Sequence, residues 1–472
     1  MASGDSMRRD LAAELAAAAA AVRFQDLPPQ TVEVTKRAIL DTLGVILAGS
    51  TAAGVSALLS LAREWGGAEQ STILVHGGKK VPAPLAVMVN STMARARELD
   101  DCHNPTGQHA SVPVVPAALA MAECVGGISG EKLITAVAVG EDIQDRIALA
   151  QEHKVGDAPW TTGFFAPFGA AVAAGKILGL AEAQMMHAIG LAFTEASDTI
   201  QSHLDGSLGQ RVHNGQAARQ GVECALMAPR GITGPHNALE GPFGFYNSHG
   251  RGEYVRERAL EGLGSRFLID EVSVKLFPCC KQIHPAAGAA LKLVEENDLG
   301  PEDIEDIEVR VNVNAFHQVC QPEELKRRPR TSLNAQWSIP FAVGLAVAKR
   351  SIALEDYTEE GIKNPAALSV SGKVRCIHDP EIDRMGAIVS PGIVTIRTVD
   401  GRTLTRRGDH VPGDPEEPLS FEDCAKYKFR NYLPWATKPI PEAAAEEVIQ
   451  AIAGLERVGD VSRLAEGLVG EG

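Results

Sequence analysis

The chain has 472 residues, 45% of them hydrophobic and 22% charged, the composition of a folded protein too long for a single ordinary core. Its formal net charge of −15 argues against nucleic-acid and membrane-surface partners, which call for a basic face, and favours a small-molecule ligand. The eight cysteines are scattered without a CxxC, which reads as reduced thiols in a cytoplasmic protein rather than a disulfide framework.

The N-terminal stretch "MASGDSMRRDLAAELAAAAAAV" has an alanine-rich run, but charge at Asp10 and Glu14 interrupts it, and it reads as a helix, not as a signal core. Next, "LPPQTVEVTKRAILDTLGVILAGS" places Val34, Ala38, Ile39, Leu43, Ile46 and Leu47 near a 3.6-residue period. Helical signals recur at "VPAPLAVMVNSTMARARELD", "PAALAMAECV", "EKLITAVAVGEDIQDRIAL", "PFGAAVAAGKILGL" and "AEAQMMHAIGLAFTEA". Their alanines and glycines let helices approach closely, so residues 1–268 are expected to form an all-α domain. No stretch reaches the roughly 18 uninterrupted apolar residues of a membrane span. Near residue 270 the pattern changes: "EVSVKLF" reads as a strand, "HPAAGAALKLVEEN" as a helix, and "DIEDIEVRVNV" alternates. "GIVTIRTV" and "RTLTRRG", joined through Asp400-Gly401, read as a hairpin. A smaller α+β lid domain is therefore expected over 269–415. Residues 416–472, with the closing helix "PEAAAEEVIQAIAGLERV", are expected to return to the helical domain, making the fold mainly α.

Three segments concentrate chemistry. In "ELDDCHNPTGQHAS", Pro105 and Gly107 oppose a continuous helix, so Asp100, Asp101, His103 and His109 should converge from a loop between two helices. A metal site built on these residues lacks HExxH and any zinc-type spacing, so no metal is expected. In "VKLFPCCKQIHPAAGAALKL", Pro285 follows His284 as a proline follows an N-cap, which places His284 at a positive helix end beside Lys275 and Lys281. Such a cluster attracts carboxylates and disfavours imidazolium. In "GQRVHNGQAARQG", Arg211, His213 and Arg219 surround glycines where "QAARQGVECALMA" can start a helix.

Together these segments resemble the MmgE/PrpD family, which includes 2-methylcitrate dehydratases, cis-aconitate decarboxylases and iminodisuccinate epimerases. "KRAILDTLGVILAGS", "RELDDCHNPTGQHASVPVVPAALAMAE", "GAAVAAGKILGL", "GQAARQG", "KLFPCCKQIHPAAGAAL" and "AQWSIPFAVGLAVAK" occur in family order along nearly the whole chain. The resemblance implies a large helical domain, a lid-like α+β domain, homodimers and a cofactor-independent site in the interdomain cleft. The family's acidic pair matches Asp100 and Asp101, its loop histidine His109, its lysine Lys275 and its following histidine His284. Three positions depart from or vary within the pattern: Gln210 stands where decarboxylases of the family carry lysine, Thr161 where a histidine is frequent, and Cys280 where some members have histidine. The "ELDD" and "CC" variants are shared with fungal-type cis-aconitate decarboxylases.

The implied chemistry is proton transfer next to a carboxylate of a small di- or tricarboxylate. His109 would be base or acid, oriented by Asp100 or Asp101, and His284 the second acid/base group. Lys275 and Arg211 would hold carboxylates, with Gln210, Cys280, Lys281 and His103 as further substrate contacts. Dehydration and decarboxylation lead, with epimerisation of an amino-dicarboxylate and noncatalytic carboxylate binding as alternatives. With no GxGxxG, GxxxxGK[ST] or iron-type cysteine spacing, no cofactor is expected.

Overall fold

A computed structural model describes residues 8–152, 160–386 and 388–470. The helical layer comprises α1 (Leu11–Ala21), α2 (Pro29–Gly49), α3 (Val55–Trp65), α4 (Ala83–Arg95), α5 (Ser111–Val125), α6 (Gly130–Ala150), α7 (Ala166–Leu178), α8 (Glu182–Glu195), the short α9 (Gln201–Leu204) and α10 (Gly209–Met227). Helix α7 is apolar nearly all round and lies at the centre, packed by α5, α6, α8 and α10. Close packing at α10 depends on glycine. A Cβ on Gly215 would sit 2.2 Å from Thr92 Oγ1 on α4, and one on Gly221 would sit 2.4 Å from the Pro167 carbonyl of α7.

The α+β layer is built on a four-stranded sheet of β1 (Ile304–Val311), β2 (Val374–His378), β3 (Gly392–Thr398) and β4 (Thr403–Gly408), in the order β2-β1-β3-β4. Only the β1–β2 pair is parallel. Helices His284–Asn297 and Ile339–Lys349 pack with this sheet, and Gly401 takes φ 88° in the hairpin turn. Buried apolar side chains sort into two clusters. One draws on residues 11–274, Leu354 and 419–468, and the other on residues 279–396. The C-terminal segment therefore packs back into the helical layer, helix Glu442–Ala453 included.

Four local readings are corrected. "EVSVKLF" forms only a two-residue strand, Val272–Ser273, paired antiparallel with Cys102–His103. Beyond it the Val274 N–H turns to the Gly413 carbonyl at 2.8 Å and Pro278 ends any ladder. Helix α5 begins at Ser111 rather than at Pro116, because Pro113 lies in the first turn, where its missing N–H would have had no intrahelical partner. Helix α10 begins at Gly209, so Gln216 lies inside it and not at an anion-binding end. The helix containing His284 starts at that residue, with Ile283 as the cap and Pro285 one position further in.

Candidate active site

The loop between α4 and α5 carries the first constellation. Glu98 holds a left-handed backbone, φ 54°, which turns the chain sharply after α4 and places its carboxylate in the interior. That carboxylate is a hub: Arg95 Nη1 lies 2.8 Å away, Gln210 Nε2 donates at 3.1 Å, Trp337 Nε1 at 3.3 Å, and Lys275 Nζ lies at 3.6 Å. Arg95 also donates to Asp100 at 3.1 Å, with Lys275 at 3.9 Å from the same oxygen. Burial alone would raise both acids. The Arg95 and Lys275 cations outweigh it, pulling Glu98 down to about 2 and holding Asp100 far below the usual carboxylate range. Both acids are therefore anionic, and the two cations are held by them.

His109 follows from this arrangement. Its Nδ1 hydrogen-bonds to the Asp101 carbonyl and lies 2.9 Å from Asp100 Oδ2. Nδ1 therefore carries the ring proton, and among the described residues Nε2 has no hydrogen-bond partner. Burial lowers the imidazole's proton affinity, Lys275 and Arg95 lower it further, and Asp100 only partly opposes them. Its place just before the α5 N-terminus acts in the same direction. The result is a neutral, oriented imidazole.

Behind His109 lies a second set of carboxylates. Ser111 Oγ bridges Asp101 and Glu141, with Glu141 at 2.7 Å, and burial lifts both acids well above the ordinary carboxylate range. One turn along α6, Asp145 is pushed up to about 7, again chiefly by burial. His103 faces this set and does not line the chamber described below: Nδ1 hydrogen-bonds Thr106 Oγ1 at 2.7 Å and lies 3.8 Å from Asp145, and Nε2 lies 3.7 Å from Glu271.

His109 Nε2 opens onto a small chamber of about 50 Å³ between the two clusters. Arg95, Glu98, His109, Thr161 and His203 line it from the helical layer, and Cys280, Lys281, Gln318, Trp337 and Val389 from the other. Lys281 reaches the chamber with its Nζ at 2.5 Å from Asp414. Burial pushes the Cys280 thiol up to about 11, so it is protonated. Lys275 and Asp100 stand just behind the lining, and Gln210 touches it only through Glu98. His284 is fully buried against Phe277, its Nε2 3.4 Å from the Cys279 carbonyl, and does not reach the chamber. Arg211 opens onto a different cavity. A larger cavity of about 810 Å³ lies on the far side of the 104–108 loop and shares Val389 with the chamber. Its Arg266 and Glu271 pair with each other, and His109 is absent from its walls, so the convergent acid/base groups belong to the smaller space. Among the described residues no three His, Cys, Asp or Glu side chains gather in a metal-holding group. Likewise, no described helix is long and apolar enough to cross a membrane.

Sequence reasoning did not single out Arg95, His203 or Trp337. His203 stacks edge-on to Trp337 with ring centroids 4.7 Å apart, and burial drives its imidazole down to about 3. Arg95 stands in "ARARELDD", where a basic residue three before Glu98 and five before Asp100 was a readable signal. His203 and Trp337 lie far from the loop in sequence and carry no such signal.

Residues 13–258 match the MmgE/PrpD N-terminal domain and residues 277–454 the MmgE/PrpD C-terminal domain. Among curated proteins, the chain is similar to a cis-aconitate decarboxylase of Aspergillus terreus, at 28% identity over 93% of this chain and 92% of the relative. It is similar to the cis-aconitate decarboxylase of Homo sapiens, at 27% identity over 98% of this chain and 95% of the relative. A cis-aconitate decarboxylase-like protein of Aspergillus oryzae matches at 25% identity over 98% of both chains.

Proposed function

The chain belongs to the MmgE/PrpD family, and from that premise we propose that it is a lyase that decarboxylates a small unsaturated tricarboxylate of the cis-aconitate type. The observation that carries the reading is His109: neutral, its Nδ1 proton held on the Asp101 carbonyl beside anionic Asp100, its Nε2 free at a chamber wall. The relatives' activity supports the choice of reaction.

In this reading the substrate carboxylates take up donors from Arg95 and Lys281 at the chamber wall. The added negative charge raises the proton affinity of His109, which enters the reaction as imidazolium. The bond from carbon to one carboxylate breaks, carbon dioxide leaves, and the electron pair spreads over the neighbouring double bond and its carboxylate. His109 Nε2 then delivers its proton to carbon and returns to the neutral ring. His203 supplies a second imidazole in a chamber that has Thr161 at the family's frequent histidine position. The Thr161 hydroxyl is itself committed to Asp198. At about 50 Å³ the chamber is well below the roughly 300 Å³ or more of ordinary ligand pockets, so in this reading its two walls move apart as substrate enters.

The test is purified protein with cis-aconitate in deuterated water, followed by NMR, beside 2-methylcitrate. The expected product is a five-carbon dicarboxylate carrying one solvent deuteron on carbon, formed equally well after EDTA treatment and without added nucleotide. Inert cis-aconitate with turnover of 2-methylcitrate would replace decarboxylation by dehydration. Activity lost to EDTA and restored by one metal would overturn the side-chain mechanism.

A further inference from the structure

Apart from the chamber, and sharing no lining residue with it, lies a cavity of about 600 Å³ whose walls include Arg97, Arg211, Arg330 and Lys363 against one acid, Glu359. Arg97 and Arg211 come from the helical layer. Arg330, on the segment before helix Ser332–Gln336, and Lys363 come from the sheet-bearing layer. Lys363 is paired with Glu360 at 2.9 Å, and Arg97 spends Nε on the Ala48 carbonyl and Nη2 on Thr51. Arg211 spends nothing. It is only 6% exposed, opens onto this cavity, and among the described residues its guanidinium has no hydrogen bond and no ion pair within 4 Å. Arg330 is exposed at the cavity wall and likewise has no side-chain partner among the described residues.

A guanidinium with five donors, no hydrogen bond and only Glu98 acting favourably on it from the protein has donors left for an anionic occupant of the cavity it opens onto. We infer that this cavity is a second anion site, distinct from the chamber, which binds a small polycarboxylate between Arg211 and Arg97 on one wall and Arg330 on the other. The placement of the charges selects the ligand class. Arg211 acts electrostatically on Arg97, and Glu98 acts favourably on Arg211, while Arg330 faces them from the other layer. Guanidinium forks set on opposing walls of this cavity suit carboxylates spread along a carbon skeleton better than a single phosphate. The site also adjoins the chamber: Gln210, next to Arg211 in α10, donates to the Glu98 carboxylate that Arg95 and Lys275 share. The inference does not depend on which reaction the chamber performs.

Citrate and, separately, inorganic phosphate are titrated by calorimetry at low ionic strength into the parent chain, Arg211→Met and Arg330→Glu. A crystal soaked with citrate then places the ligand. Expected are citrate density between Arg97, Arg211 and Arg330, and a binding event that weakens by roughly tenfold or more in both variants, about 1.4 kcal/mol or more. Arg330 is exposed, so its reversal leaves the packing alone and keeps the test decisive whatever Arg211→Met does to folding. Citrate density confined to the His109 chamber, or an affinity unchanged in Arg330→Glu, overturns the site. Phosphate binding more tightly than citrate at these arginines overturns the assigned ligand class.

Discussion

At the scale of single residues, His109 and Lys275 do different work although both belong to one buried charge network. His109 touches the chamber, so His109→Ala should leave the fold intact and cut turnover by roughly a hundredfold or more, the usual contribution of a positioned acid/base group. Circular dichroism with single-turnover kinetics checks both halves, and near-parental turnover would remove His109 from the mechanism. Lys275 stands behind the wall, where its positive charge lowers the proton affinity of His109. Removing that charge must raise it, so in Lys275→Met the limb of the pH profile set by His109 should move to higher pH, with kcat reduced. Lys281→Met removes a chamber donor paired with Asp414 and should act mainly on KM. Two identical profiles would contradict the division of roles. The sequence made the Asp100, Asp101 and His109 cluster legible because those residues crowd one loop. Lys275 was set apart from Lys281 by the family resemblance alone, since the local residues do not show which lysine turns inward to Glu98 and which reaches Asp414.

Among elements, α6 is the unexpected one: Glu141, Asp142 and Asp145 lie on its buried length behind the loop that carries His109. Arg146 neutralises Asp142 at 2.7 Å, but among the described residues Asp145 has only His103, at 3.8 Å. Burial, and then Asp142 and Glu271, lift Asp145 from 3.8 to about 7 against the pull of His103. Between those two values the folded chain keeps a proton that the unfolded chain has released. The stability linked to this group is thus fully present below pH 3.8 and is lost as pH rises through about 7. Asp145→Asn keeps the neutral form at every pH and should stabilise the fold at pH 8, by on the order of a few kcal/mol, with little gain near pH 4. Denaturant melts at the two pH values check this; an equal effect at both would mean that Asp145 does not titrate in this range. The helical period made α2, α6 and α7 readable from sequence, and strand alternation did the same for β1. What misled was local chemistry whose weight depends on partners. Two prolines in the first turns of α5 suggested a later start, and "EVSVKLF" lacked a neighbour long enough to extend its ladder.

For the whole molecule, the decisive tie is supplied by the chain's last segment. Lys428 is completely buried, yet its Nζ lies 2.9 Å from Asp41 of α2, donates to the Leu99 carbonyl at 2.8 Å, and also bonds the Lys275 carbonyl. One ammonium thus joins the core helix, the loop that carries His109 and the junction between the two clusters. Burial raises the Asp41 carboxyl and Lys428 is the largest force opposing it, so deleting the lysine leaves an acid with no strong cation and two carbonyls without their donor. Lys428→Met should therefore cost about 3–5 kcal/mol, the usual penalty for breaking a buried pair by removing one partner. Adding Asp41→Asn should return part of that loss, because the stranded charge goes while the unpaired carbonyls remain. Activity should fall as well, since Leu99 and Lys275 flank Asp100 in sequence and in space, and the double variant should recover stability more than it recovers kcat. Denaturant melts and initial rates on the single and double variants separate the two effects. If Lys428→Met melts with the parent, the C-terminal segment does not hold the two halves of the site in register.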